Sequence, residues 1–107
     1  MANGVLGTGL SSANSNVAIY TVPASGVQFA TISLTMVNTG TVPAKVKLAI
    51  STSLNPSLDQ YIEFGAELAA NGGVLERTCI MCSPGEKIVV NANTSDVAVR
   101  VFGMEQL

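Results

Sequence analysis

The sequence contains no histidine, and that absence excludes more chemistry than any residue present suggests. A serine or cysteine nucleophile in its usual triad needs an imidazole base, and none is available. Cysteine is almost as scarce. With two cysteines and no histidine, a zinc site lacks two of its four usual ligands. Charge is sparse too: charged residues make up 11% of the chain, against about 25% in an average soluble domain. Five basic residues supply no clustered face, so the chain reads as no nucleic-acid binder. The seven carboxylates are Asp59, Glu63, Glu67, Glu76, Glu86, Asp96 and Glu105. They are scattered, and nothing local pairs two of them for acid–base work. The glycines form neither G-x-G-x-x-G nor G-K-[ST], so no phosphate cradle is written here. No run of about 18 apolar residues exists to span a membrane. The opening MANGVLGTGLSSANSN has no basic start and no continuous apolar core, so it does not read as a signal peptide. The expectation is a protein made and used without secretion. Nothing here calls for a cofactor or a metal, and the chain reads as no enzyme.

The two cysteines stand as Cys79-Ile80-Met81-Cys82. In redox proteins C-x-x-C opens a helix, whose dipole lowers the thiol pKa. Here it closes a β-prone run. At about 3.3 Å rise per residue the two Cα atoms lie roughly 10 Å apart. A disulfide needs less than about 7 Å. Both are therefore read as free thiols serving as small apolar side chains.

What the chain does have is apolar residues and turn signals. At 107 residues it is one domain, large enough for a core without disulfide staples. Hydrophobic residues reach 48%, and mean hydropathy is positive. So few charges on so apolar a chain suit a subunit largely covered by other subunits, in a homo-oligomer or on a protein partner.

The stretch 74–103 organises the reading. Three apolar runs, VLERTCIMC, KIVVNAN and VAVRVFG, are separated by Ser83-Pro84-Gly85-Glu86 and Asn93-Thr94-Ser95-Asp96. Both separators favour reversal, and both are too short for a parallel crossover. The runs are expected as an up-down-up antiparallel meander. Glu76 and Arg77 spoil alternation in the first run, which predicts a bulge or an edge position.

Before it, residues 1–16 have the Gly/Ser/Asn content of an arm, and Gly7-Thr8-Gly9 reads as flexible arm. Val5, Leu6 and Leu10 are the arm's candidate contacts, ordering on a neighbour. The arm is expected to be mobile in the free protein. Residues 17–107 are the folded domain. A short strand over 17–22 stops at Pro23. Ala30, Ile32, Leu34 and Met36 then alternate with Thr31, Ser33 and Thr35, a period of two. Asn38-Thr39-Gly40-Thr41 turns the chain. Val46, Leu48 and Ile50 alternate with Lys45 and Lys47, and the two strands are expected to form a long hairpin. YIEF at 61–64 is a further short strand. The fold class is all-β: an antiparallel two-sheet β-sandwich of about seven strands, Ig-like or jelly-roll-like, with an extended N-terminal arm.

Several phrases carry a resemblance: YTVPA at 20–24, VNTG at 37–40, YIEF at 61–64, VLERT at 74–78, PGEKIVV at 84–90 and VAVRVFG at 97–103. In order and spacing they resemble small virion structural proteins of tailed bacteriophages, notably those of cyanobacteria. The resemblance implies a β-sandwich displayed on the virion, without enzymatic role or cofactor, and assembled in the host cytoplasm. It implies a capsid decoration (cement) protein bound to the major capsid protein, or otherwise a tail, neck or fibre subunit bound to other virion proteins. It gives Cys79 and Cys82 no role. A carbohydrate-binding module is the reading of another class. It requires exposed aromatics on one sheet face or loop rim, and the chain has five aromatics in all.

Overall fold

A computed structural model describes residues 3–107. The chain runs β1 (Asn3–Leu10), β2 (Val17–Thr21), β3 (Phe29–Asn38), β4 (Ala44–Ser51), a 3-10 turn (Leu58–Gln60), β5 (Tyr61–Leu68), β6 (Val74–Cys82), β7 (Lys87–Ala92) and β8 (Val97–Gln106). Two four-stranded antiparallel sheets result, ordered β1-β8-β3-β6 and β2-β7-β4-β5. The all-β two-sheet sandwich expected from the sequence is the fold. The order has a simple origin. β1 pairs β8, β2 pairs β7, β3 pairs β6 and β4 pairs β5, as in one long ribbon folded at the β4–β5 loop. Rolling that ribbon brings β3 onto β8 and β4 onto β7. An eight-stranded ribbon rolled this way is a jelly roll.

The core lies between the sheets. The period-two strand β3 alternates strictly: Ala30, Ile32, Leu34 and Met36 are buried, and the residues between them are half-buried. Facing them are Val46, Leu48, Ile88 and Val90, all fully buried. At about 25 cal/mol per Å², each such side chain stabilises the fold by roughly 1.5–3 kcal/mol relative to exposure.

Three expectations are corrected. First, β3 and β4 are not a hairpin, for they lie in different sheets. Asn38 closes β3, and its amide directs the chain across the core's edge. Nδ2 donates to the carbonyls of Val42 (2.8 Å) and Leu68 (3.3 Å), and Oδ1 accepts from the Gly40 N–H (2.9 Å). Second, residues 74–103 are not a meander. β6 and β8 both flank β3, while β7 lies in the opposite sheet. The Ser83–Glu86 turn is an arch stitched to the end of β2: the Gly85 N–H donates to the Val22 carbonyl (3.0 Å), and the Val22 N–H to that of Glu86 (2.8 Å). Turn residues dictate that a chain reverses, not whether it reverses within a sheet or between two. The anticipated irregularity in β6 is present. It is an edge strand, and its pairing with β3 shifts register between Ile32 and Leu34, where Cys79 takes φ 57°.

Third, the arm of residues 1–16 is part of the domain over its described length. Residues 3–10 form β1, an eighth strand on the edge of the first sheet. Residues 11–16 cross to the second sheet, held by Ser11 Oγ to the Thr94 carbonyl (2.6 Å) and the Asn14 N–H to that of Ala92 (2.7 Å). The Gly7-Thr8-Gly9 pattern has a packing reason. Both glycines pair with core-facing residues, Val101 and Val99, so both face inward. A Cβ on Gly7 would overlap the Ile19 carbonyl oxygen, and one on Gly9 would lie 3.2 Å from Ile19 Cδ1. Bare backbone there lets β1 and β2 close one side of the sandwich. The opposite side is closed by an ion pair between Arg77 of β6 and Glu63 of β5.

Candidate functional site

Three of the carboxylates serve structure at separate places. Glu63 pairs with Arg77. Glu86 Oε1 accepts the Ser83 N–H (2.6 Å) within the arch. Glu105 is buried and accepts from Tyr20 Oη at 2.6 Å, joining β8 to β2 across the core. Burial, reinforced by that carboxylate, pushes the Tyr20 phenol far above its ordinary pKa. Among the described residues no cavity opens, and no group of three His, Cys, Asp or Glu is placed to hold a metal. Both thiols are free, as expected: Cys79 is exposed at the β6 bulge and Cys82 is buried. Burial, with Glu86 nearby, pushes the Cys82 thiol up to about 11. No helix among the described residues is long and apolar enough to cross a membrane.

What the fold does present is a surface. Residues directly opposite in an antiparallel pair share a face, so register lays out the outer face of the first sheet in rows. Met104, Thr31 and Met81 form one row, and Val5, Phe102 and Ser33 the next. Thr8, Arg100, Thr35 and Glu76 follow, then Leu10, Ala98, Val37 and Val74. A polar row thus separates two apolar ones. Val5 (49% exposed), Phe102 (37%), Met104 (45%) and Met81 (64%) gather at one end. Methionines there give a face that adapts its shape to a partner.

Of the three candidate contacts, Val5 and Leu10 lie on this face. Leu6, at the register shift between Val5 and Gly7, turns inward against the core. The arm reading missed Phe102, Met104 and Met81 as their companions. Their signal was the alternation of β8 itself. With Val97, Val99 and Val101 inside, Phe102 and Met104 have to be outside.

The second sheet's outer face differs. Val89 and Ala49 pair there with each other and with Ala18 and Tyr61, yet only 2% of Val89 and none of Ala49 is exposed. Loop 52–60 is held toward this face by Asn16, whose Nδ2 donates to the Leu54 carbonyl (2.9 Å) and whose Oδ1 accepts from Asn91 (2.8 Å). Beyond it stand Tyr61 and Phe64, edge to face with centroids 5.0 Å apart and planes at 80°, with Lys47 Nζ 4.5 Å from the Phe64 centroid.

No protein-family model matches the chain, and neither a curated protein nor a solved structure matches it.

Proposed function

We propose that this protein is a virion structural protein of a tailed bacteriophage, a capsid decoration protein that binds the major capsid protein and stabilises the shell. The observation that carries the reading is the outer face of the first sheet, where Val5, Phe102, Met104 and Met81 stand exposed together on a chain with few charges. A rigid sandwich with an apolar cluster at one end of a face suits burial against a protein surface. Many copies on a repeating shell convert modest pair affinities into firm retention. The ordered phrases from residue 20 to residue 103 support the phage source. The jelly roll supports it by analogy, since viral capsids use that architecture, as lectins do. Tyr61 and Phe64 favour no sugar platform: their planes are nearly perpendicular, and Lys47 already occupies a face of Phe64.

The test mixes purified protein with capsids assembled from the same virion's major capsid protein, then sediments them. The wild type is expected to pellet with the capsids, and Phe102→Glu, checked for an unchanged circular dichroism spectrum, to lose at least about tenfold in retention (about 1.4 kcal/mol). Failure of the wild type to pellet overturns the capsid reading. Pelleting with purified tails instead establishes the tail, neck or fibre alternative.

A further inference from the structure

We infer that β1 is a self-association edge: two copies of this chain join by antiparallel pairing of their β1 strands, extending the first sheet across both molecules. The four sheet edges are protected unequally. An edge strand offers unpaired N–H and C=O groups to any incoming strand, so natural edges carry charge, proline, bulges or short length. β5 carries Glu63 and Glu67, and its pairing with β4 shifts register twice. β6 carries Glu76 and Arg77, and the Cys79 bulge breaks its line. β2 has five residues with a register shift, and Pro23 follows closely. β1 has neither charge nor proline in its eight residues NGVLGTGL, and among the described residues it has a neighbouring strand on one side only. Its one register shift is at Leu6, so residues 7–10 run straight against 98–101.

The occupant follows from the same residues. A strand pairing with its own copy must place each residue opposite one of the same face. A two-fold axis through Thr8 does this. Thr8 meets Thr8 of the copy on the outer face, and inward Gly7 meets inward Gly9. The bulge at Leu6 then brings the copy's outward Val5 toward Leu10. No like charges meet, and threonine opposite threonine is a favourable cross-strand pair. The apolar cluster of Val5, Phe102 and Met104 would then repeat about the axis on one continuous eight-stranded face. Val5 and Leu10, both about half-exposed or more in the single chain, gain cover from each other. This contact does not depend on the virion reading, since it forms between two copies in solution.

The experiment is sedimentation equilibrium from about 1 µM to 1 mM, the range in which weak pairing appears, on the wild type and on Thr8→Glu. Within one chain the introduced carboxylate would face Arg100, the registered neighbour of Thr8, so the fold keeps or gains stability. Between copies two carboxylates would stand directly opposite. The wild type is expected to approach dimer mass, and Thr8→Glu to raise the dissociation constant at least about tenfold without lowering Tm. A wild type that stays monomeric throughout overturns the inference, as does a Thr8→Glu protein that dimerises equally well. Should Thr8→Glu fail to fold, hydrogen exchange on the wild type decides. Amides of residues 7–10 gain protection with concentration if β1 pairs with its copy, and concentration-independent exchange overturns it. Co-sedimentation with capsids is a separate measurement, so either conclusion can fail alone.

Discussion

Asn38 shows how one side chain settles a chain's route. It is buried, it ends the longest alternating run, and its amide satisfies two carbonyls and one N–H. Its backbone is used as well: the N–H donates to Gly73 (2.9 Å), and the carbonyl accepts from Gly72 (2.8 Å). Asn38→Ala leaves the buried partners unsatisfied, so urea unfolding should show a loss of about 2–4 kcal/mol. Leu34→Ile, a buried but volume-conserving change, should cost less than about 1.5 kcal/mol. Cys82 couples stability to pH. Its folded pKa is raised from 9.0 to about 11. Between those values the unfolded chain has released the thiol proton and the native protein retains it. The native state therefore binds more protons, and stability falls as pH rises from about 9 to 11. Tyr20 pushes in the same direction at higher pH. Cys82→Ala should flatten the decline of Tm over that window, as read by thermal melts in a pH series.

At the scale of elements, β1 is the informative case. Gly7 and Gly9 face inward and Val5 and Leu10 outward, so Leu6 is the apolar side chain that β1 packs against the core. Backbone pairing with β8 and close approach to β2 hold it in place. Gly7→Ala drives a methyl into the Ile19 carbonyl oxygen and must separate β1 from β2, at about 1–3 kcal/mol. Gly9→Ala meets the end of a flexible isoleucine at 3.2 Å and should cost clearly less. Thermal melts of the two variants check the order. Equal costs would mean that the edges are not in contact at Gly7. Arches dominate the connections between strands. Among the described residues all but one of the connections pass between sheets, and β4 to β5 stays within one.

For the molecule as a whole, the rolled ribbon pairs the first strand with the last and the second with the seventh. Nearly every sheet contact therefore closes a long loop before burial offsets the lost entropy. Refolding from denaturant should take milliseconds to seconds, in the range of all-β sandwiches, rather than the microseconds of local folds. Stopped-flow refolding measures this. A dominant sub-millisecond phase reaching native signal would contradict the topology.

Period two in β3 and β4 was legible because most outward positions there are polar, Thr31, Ser33, Thr35, Lys45 and Lys47, and polarity records the face directly. Ala30, Ile32, Leu34, Met36, Val46 and Leu48 are in the core where the alternation put them. Scarce charge and the lack of histidine bounded the chemistry with no structure at all. The sheet membership of each strand was not legible. Turn residues encode local φ and ψ, and the same Pro-Gly or Asn-Thr-Gly serves a hairpin or an arch. The strand character of residues 3–10 was hidden because glycine there answers to the approach of the Ile19 backbone, a neighbour distant in sequence. The full burial of Ala49 and Val89 on an outer face was likewise not legible, since neither residue's own strand shows what covers it. Local periodicity thus determined which side of β3 and of β4 faces the core. Only the packed structure decided which strands meet, because pairing energy belongs to two distant segments and is written in neither alone.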